Sequence, residues 1–269
     1  MLLNVQGQEA YCYTGGKTFN PELPTVVFIH GAQNDHSVWI LQTRYIAHHG
    51  FSVLAVDLPG HGGRSKGAPL TSVEALADWL IALLDAAGVQ KASLVGHSMG
   101  SLVALESAFR APDRVARLAL VGTAYPMKVS DMLLDASRND EQSAIDMVNI
   151  WSHTSIAHKP SCPGPGFSVM NGSQRLMQRI SARNPAQVFY TDFSACNAYA
   201  NGDAAAASVA CPTLLLLGKR DMMTPPKATA MLTKAIPHCQ VVQIDDCGHS
   251  LMAEQPDAVL DSLYTFIRR

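Results

Sequence analysis

The sequence predicts an α/β fold, a mostly parallel central sheet flanked by helices, and three observations predict it. Short runs of successive apolar residues recur along the chain, and unbroken apolarity is how strands buried on both faces read. Between them lie stretches whose apolar residues fall at helical spacing. Strand and helix therefore alternate, and parallel neighbours need crossover connections, which are right-handed. The 269 residues suffice for one large domain with a substantial core.

The strand candidates come in order. Thr25-Val26-Val27-Phe28-Ile29-His30, Ser52-Val53-Leu54-Ala55-Val56-Asp57 and Ala92-Ser93-Leu94-Val95-Gly96 are the first three. Leu118 to Gly122, Thr213 to Gly218 and Gln240 to Ile244 follow, all read as buried on both faces. A helix is expected from Ser72 to Ala87, where Val73, Leu76, Ala77, Leu80, Leu83 and Leu84 recur with helical period. The alternation breaks between Tyr125 and Val209. That segment has no strand-like run, carries five of the 11 methionines and contains the turn Cys162-Pro163-Gly164-Pro165-Gly166. It is too long for one crossover helix, so it reads as a helical insertion at the strand ends, and ordered insertions of that length are usually functional. The Ala-rich stretch Asp203 to Ser208 leads back to the sheet through Cys211-Pro212. The expected organisation is a core of residues 1–124 and 210–269 with an insertion at 125–209.

Composition excludes several classes. Lys and Arg total 20 against 22 Asp and Glu, so no basic excess exists to displace counterions from phosphate, and no nucleic-acid partner is expected. The closing Phe266-Ile267-Arg268-Arg269 reads as a solvated helix end. No run of about 18 apolar residues supports a membrane span. The N-terminal residues show neither a basic n-region nor a long apolar h-region. The six cysteines are scattered without CxxC spacing, which favours reduced thiols over a disulfide framework. A cytoplasmic location follows as the expectation.

The sharpest local signal is Gly96-His97-Ser98-Met99-Gly100, set directly between an apolar strand and the helical run Ser101 to Arg110. So tight a strand-to-helix turn needs small residues on both sides of the serine, and it presents Ser98 above the sheet. The helix start beneath it supplies unsatisfied N–H groups and partial positive charge. A serine hydroxyl needs a base, and the base an orienting acid. Asp221 follows one strand in Gly218-Lys219-Arg220-Asp221, and His249 follows the last in Asp245-Asp246-Cys247-Gly248-His249. Both would project from the carboxyl ends of parallel strands, where such sheets bind ligands. Asp245 and Asp246 are rival acids, poorly placed because they adjoin the base in sequence. In His30-Gly31-Ala32 the glycine allows close backbone approach, so the N–H groups of Ala32 and Met99 are the expected oxyanion donors. His30 is expected to be a structural hydrogen-bonding residue.

Other features carry weaker signals. Gly15-Gly16-Lys17-Thr18 ends like a phosphate-binding loop, but Tyr11 and Pro21 break the pattern. His238, Cys239, Cys247 and His249 match no common zinc spacing, and no metal is expected. Asp35, His36 and Trp39 admit two readings, pocket lining or helix cap and core aromatic. His36, Trp39 and Met222 are the candidate substrate contacts.

Together these motifs resemble the α/β-hydrolase superfamily across nearly the whole chain. They are His30-Gly31, Asp57-Leu58-Pro59-Gly60-His61-Gly62-Gly63-Arg64-Ser65, Gly96 to Gly100, the Gly218 to Asp221 turn with Pro225, and Gly248-His249. One departure is Gly63, where the family often has a direct Gly-x-Ser step. The resemblance implies an α/β-hydrolase fold whose insertion at 125–209 is a cap over the pocket. It also implies a cofactor-free serine hydrolase acting on a small-molecule ester or related acyl compound, with Ser98, His249 and Asp221 as catalytic residues. A serine nucleophile disfavours the dehalogenase and epoxide hydrolase branches. Carbon–carbon or enol-lactone hydrolysis, and a hydrolase-like receptor, stay open, as does a homodimer. The methionines of the insertion read equally as adaptable pocket wall and as its own core.

Overall fold

Eight strands form one sheet in the computed structural model, which describes residues 1–154 and 169–269. They are β1 (Leu2–Val5), β2 (Gln8–Tyr13), β3 (Thr25–Ile29), β4 (Ser52–Val56), β5 (Ala92–His97), β6 (Val115–Val121), β7 (Thr213–Gly218) and β8 (Gln240–Ile244). Their spatial order is β1-β2-β4-β3-β5-β6-β7-β8. From β4 to β8 all pairings are parallel, and every residue of β3, β4, β5 and β7 is buried. Six of the strands are those the apolar runs predict.

Two differences have simple causes. β1 and β2 form an antiparallel hairpin that the apolar runs do not announce, and β2 pairs antiparallel with β4. Their alternating burial reflects an edge ribbon with one face in solvent. Gln6 and Gly7, both at positive φ (52° and 81°), make the two-residue turn between them. The apolar run of β8 predicts burial on both faces, yet four of its five residues are exposed, Val241 and Val242 included. As the terminal strand of the order it has only β7 beside it.

Helices cover both faces of the sheet. On one side α2 (Val73–Ala86) and α3 (Met99–Arg110) bury Val73, Leu76, Leu80, Leu83, Leu102 and Leu105 against Val27, Ile29, Leu54 and Val56. On the other α1 (Ile40–Ala47) and α11 (Pro256–Ile267) meet Val26, Phe28, Val53 and Ala55, the residues one step out of phase. Ser72 starts α2 by accepting a hydrogen bond from the Ala75 N–H at 3.1 Å.

Between β6 and β7 come α4 (Asp131–Asn139), α5 (Glu141–Trp151), α6 (Val169–Arg183), α7 (Val188–Ala198) and α8 (Gly202–Ser208). The first four share a small core of their own in which Leu133, Ile145, Met177, Phe189 and Phe193 meet. The last, α8, packs on α3 and sends Ala205 and Ala206 into the main core. The expected turn from Cys162 to Gly166 lies outside the described residues. Two short helices complete the carboxyl-terminal part, α9 (Ala230–Ala235) and α10 (Leu251–Glu254). No helix among the described residues is long and apolar enough to cross a membrane.

Candidate active site

Ser98 is the hinge between β5 and α3. Its backbone has φ 52° and ψ −120°, a region L-residues avoid and which surrounding structure must enforce. A hydrogen bond from the Ser98 N–H to the Val121 carbonyl, 2.9 Å long, helps to do so. The flanking glycines have a steric reason. A Cβ at Gly96 would overlap the Gly100 carbonyl, and one at Gly100 the Ile29 carbonyl. Gly31 also comes close, since a Cβ there would lie 3.1 Å from the Ser98 Cβ. The loop carrying Ala32 thus approaches the serine from the end of β3, while Met99 opens the 12-residue α3. Among the described residues neither the Ala32 nor the Met99 N–H donates to a protein acceptor.

Asp221 and His249, 28 residues apart, are brought together after β7 and β8. His249 donates from Nδ1 to Asp221 Oδ2 at 2.8 Å. The other oxygen, Oδ1, accepts from the Met223 and Thr224 N–H groups, each at 2.8 Å. Burial alone would raise the Asp221 pKa, but the charge and hydrogen bond of His249, with the Thr224 donors, outweigh it and hold the carboxyl below its ordinary range. Thr224 is a residue the sequence reading missed: its hydroxyl donates to Asp221 Oδ2 at 2.8 Å and lies 3.1 Å from His249 Nδ1. The rival acids point elsewhere. Asp245 pairs with Lys219 and Asp246 with Arg220, at the exposed surface.

Two further histidines frame the site without facing solvent. His97 donates from Nε2 to the His249 carbonyl at 2.9 Å, and burial, with His249 nearby, pushes its pKa down to about 3. It is a neutral strut beneath His249. His30 donates from Nδ1 to the Gly31 carbonyl and accepts at Nε2 from the Leu58 N–H, again with burial lowering its pKa to about 3. This is the structural role expected of it.

Ser98, His249 and Ala32 line one cavity of about 580 Å3, with Val148, Leu176 and Phe193 of the inserted helices among its walls. The three candidate substrate contacts are corrected by the geometry. Met222 is 70% exposed and points away, because Asp221 Oδ1 gathers the next two N–H groups and turns Met223 inward instead. Trp39 is fully buried beneath the site between the rings of Phe28 and His97. His36 is held at 2.7 Å by Asp57 Oδ1 and lies against the rings of Tyr11 and Tyr13. Asp35 caps this short helical turn by accepting from the Ser37 N–H at 2.9 Å. This turn is a 3-10 helix, in which residues three apart share a face, so His36 and Trp39 lie together off the cavity while Ser37 and Val38 reach it. Asp35, His36 and Asp57 form the sole grouping of metal-ligand type among the described residues. It sits off the cavity, with His36 engaged by Asp57, and Asp35 by Ser37 and Arg179.

A sequence model of the alpha/beta hydrolase fold matches residues 24–256. The chain belongs to the α/β-hydrolase family. Several of its curated relatives are named as hydrolases or esterases. One from Klebsiella pneumoniae, named as a carbamate hydrolase, is 26% identical over 252 residues, which is 88% of each chain. A pimeloyl-[acyl-carrier protein] methyl ester esterase of Aromatoleum aromaticum is 29% identical, over 87% of this chain and 94% of its own. Among solved structures, the enol-lactonase of Burkholderia xenovorans superposes over the full length of both chains with a TM-score of 0.82 at 22% identity. In this α/β-hydrolase the residues expected at the elbow, after β7 and after β8 therefore share one cavity or one hydrogen-bonded pair.

Proposed function

We propose that the protein is a serine hydrolase that cleaves a small carboxylic ester or related acyl compound through an acyl-enzyme. The observation that carries the reading is the 2.8 Å hydrogen bond from His249 Nδ1 to Asp221, made while His249 and Ser98 line the same cavity. With Nδ1–H committed to the carboxylate, Nε2 is left as the basic nitrogen able to take the Ser98 proton. Ser98 Oγ attacks the carbonyl carbon, and the Ala32 and Met99 N–H groups receive the oxyanion. His249 then protonates the departing alcohol. Water, deprotonated by the same nitrogen, attacks the acyl-serine and releases the acid. The steps need no cofactor. The inserted helices act as the cap, since Val148, Leu176, Met177 and Phe193 give the cavity an apolar wall suited to an acyl or alcohol chain.

The relatives' names support an acyl carbonyl and leave the leaving group open: an ester in one, a carbamate in another, an enol lactone in the structural neighbour. Burst kinetics with p-nitrophenyl esters of increasing chain length, beside Ser98→Ala, test the reading. A serine-dependent burst followed by steady turnover is expected. Turnover confined to enol lactones or ring-cleavage diketones would keep the serine chemistry and change the bond. Stoichiometric binding with no turnover of any of these would replace the enzyme by a receptor.

A further inference from the structure

Gln33 stands directly after Ala32 and departs from what its position favours. Its φ is 54°, in the left-handed region that suits glycine, and it is wholly buried. Among the described residues its Oε1 has no hydrogen-bond partner, an added cost for a buried amide. A residue kept under such constraint calls for a compensating role, and its contacts supply one.

Every partner of Gln33 in this network belongs to the inserted helices. The main-chain N–H donates to Asp192 Oδ2 of α7 at 2.8 Å. The side-chain Nε2 faces Ser181 Oγ at 2.7 Å and the Met177 carbonyl at 3.1 Å, both of α6, and Glu141 Oε1 of α5 at 3.3 Å. Asp192 is itself fixed, since His61 donates to the same Oδ2 at 2.9 Å from the loop after β4. Burial disfavours a charged His61, yet Asp192 outweighs it and raises the imidazole's pKa, in keeping with ring nitrogens that both donate, the second to the Pro59 carbonyl. The carbonyl of the Ala32–Gln33 peptide is gripped from its other side by Asn34 Nδ2 at 2.9 Å.

We propose that Gln33 is a positioning residue through which the inserted helices set the oxyanion hole: α5, α6 and α7 hold Gln33, and Gln33 holds the Ala32 N–H in register with Ser98. The inference rests on the acyl-transfer reading, in which Ala32 is a donor. It assigns the insertion a second task besides walling the cavity, because the hole is complete only while the insertion is docked.

The test is affinity for an arylboronic acid, which forms a tetrahedral adduct on the serine, against affinity for the corresponding carboxylic acid, which does not. Gln33→Gly keeps the left-handed backbone and deletes the side-chain bonds, and Ser181→Ala removes one partner from the insertion side. Both variants should lose boronate affinity, Gln33→Gly about tenfold or more, as a part of the loss expected for a missing oxyanion donor. Carboxylate affinity and KM should stay within about twofold while kcat falls with boronate affinity. The double variant should lose little more than Gln33→Gly alone, because the two groups act on one element. Thermal melting checks folding, and should Gln33→Gly fail to fold, the Ser181→Ala comparison decides alone. Boronate and carboxylate affinities that fall together, or an unchanged boronate affinity in folded variants, would overturn the inference while leaving the serine chemistry intact. A wild-type protein that forms no Ser98-dependent boronate adduct would remove the acyl-transfer reading and this inference with it.

Discussion

Replacing Asp221 by asparagine isolates what the acid does. All the polar capacity of the carboxylate is in use: two N–H groups converge on Oδ1, and His249 Nδ1 with the Thr224 hydroxyl on Oδ2. An amide must place its NH2 at one of these positions. At Oδ1 it would face two backbone donors that cannot turn away. At Oδ2 it faces groups that can change, since Thr224 can rotate its hydroxyl and His249 can move its proton from Nδ1 to Nε2. The amide therefore settles with NH2 toward the imidazole, which flips the tautomer and leaves Nε2 protonated, unable to accept from Ser98. The expected loss is about 10⁴ in kcat, or about 5.5 kcal/mol of transition-state stabilisation. KM should change little, because Asp221 is not part of the cavity wall. Steady-state kinetics on the best p-nitrophenyl ester, with a melting curve to confirm folding, provide the assay. Folded Asp221→Asn with wild-type kcat would refute the reasoning and return the role to Asp245 or Asp246, despite their ion pairs with Lys219 and Arg220.

Other consequences are equally specific. Ser98→Gly should abolish turnover yet raise the melting temperature, since glycine adopts φ 52° freely; about 1 kcal/mol of relieved strain corresponds to roughly 2 °C at this chain length, and an unchanged or lowered midpoint would count against strain at the elbow. Thr224→Val removes a hydroxyl donor to a buried carboxylate and should cost about 1.5–3 kcal/mol in chemical denaturation, with the nearly isosteric side chain keeping the packing. Stability should fall as pH drops below about 6.5, because His30 and His97 titrate near 3 when folded and near 6.5 when unfolded, so the unfolded chain binds the extra protons. Each contributes a slope of about 1.4 kcal/mol per pH unit in that window. Asp221, with its lowered pKa, adds to the loss at lower pH still. Denaturant midpoints that are flat from pH 6.5 to 4.5 would contradict the burial of neutral imidazoles.

The parts legible in the sequence are those fixed by local chemistry. β3, β4, β5 and β7 are buried on both faces, so their apolar runs stand out, and the Gly96–Gly100 elbow is recognisable because its glycines answer backbone overlaps within a few residues. β8 carries a similar run, but its place at the edge is a property of the sheet order and not of Gln240 to Ile244. The β1–β2 hairpin had one available signal, Gln6-Gly7, between short alternating strands. Within the site, choosing between Met222 and Met223, or between His36 and Ser37, requires knowing which way a single turn faces. Thr224 lies close enough to Asp221 to have been suspected. Gln33 does not: its partners Glu141, Met177, Ser181 and Asp192 lie more than 100 residues away, and no local pattern marks a glutamine that will be buried among them.

The most direct test of the central claim is mass spectrometry of protein acid-quenched during ester turnover. An acyl mass on the peptide containing Ser98, present in wild type and absent from Ser98→Ala, is the result the account predicts. Ester turnover that continues in Ser98→Ala, or that proceeds in wild type with the acyl group on another residue, would contradict it.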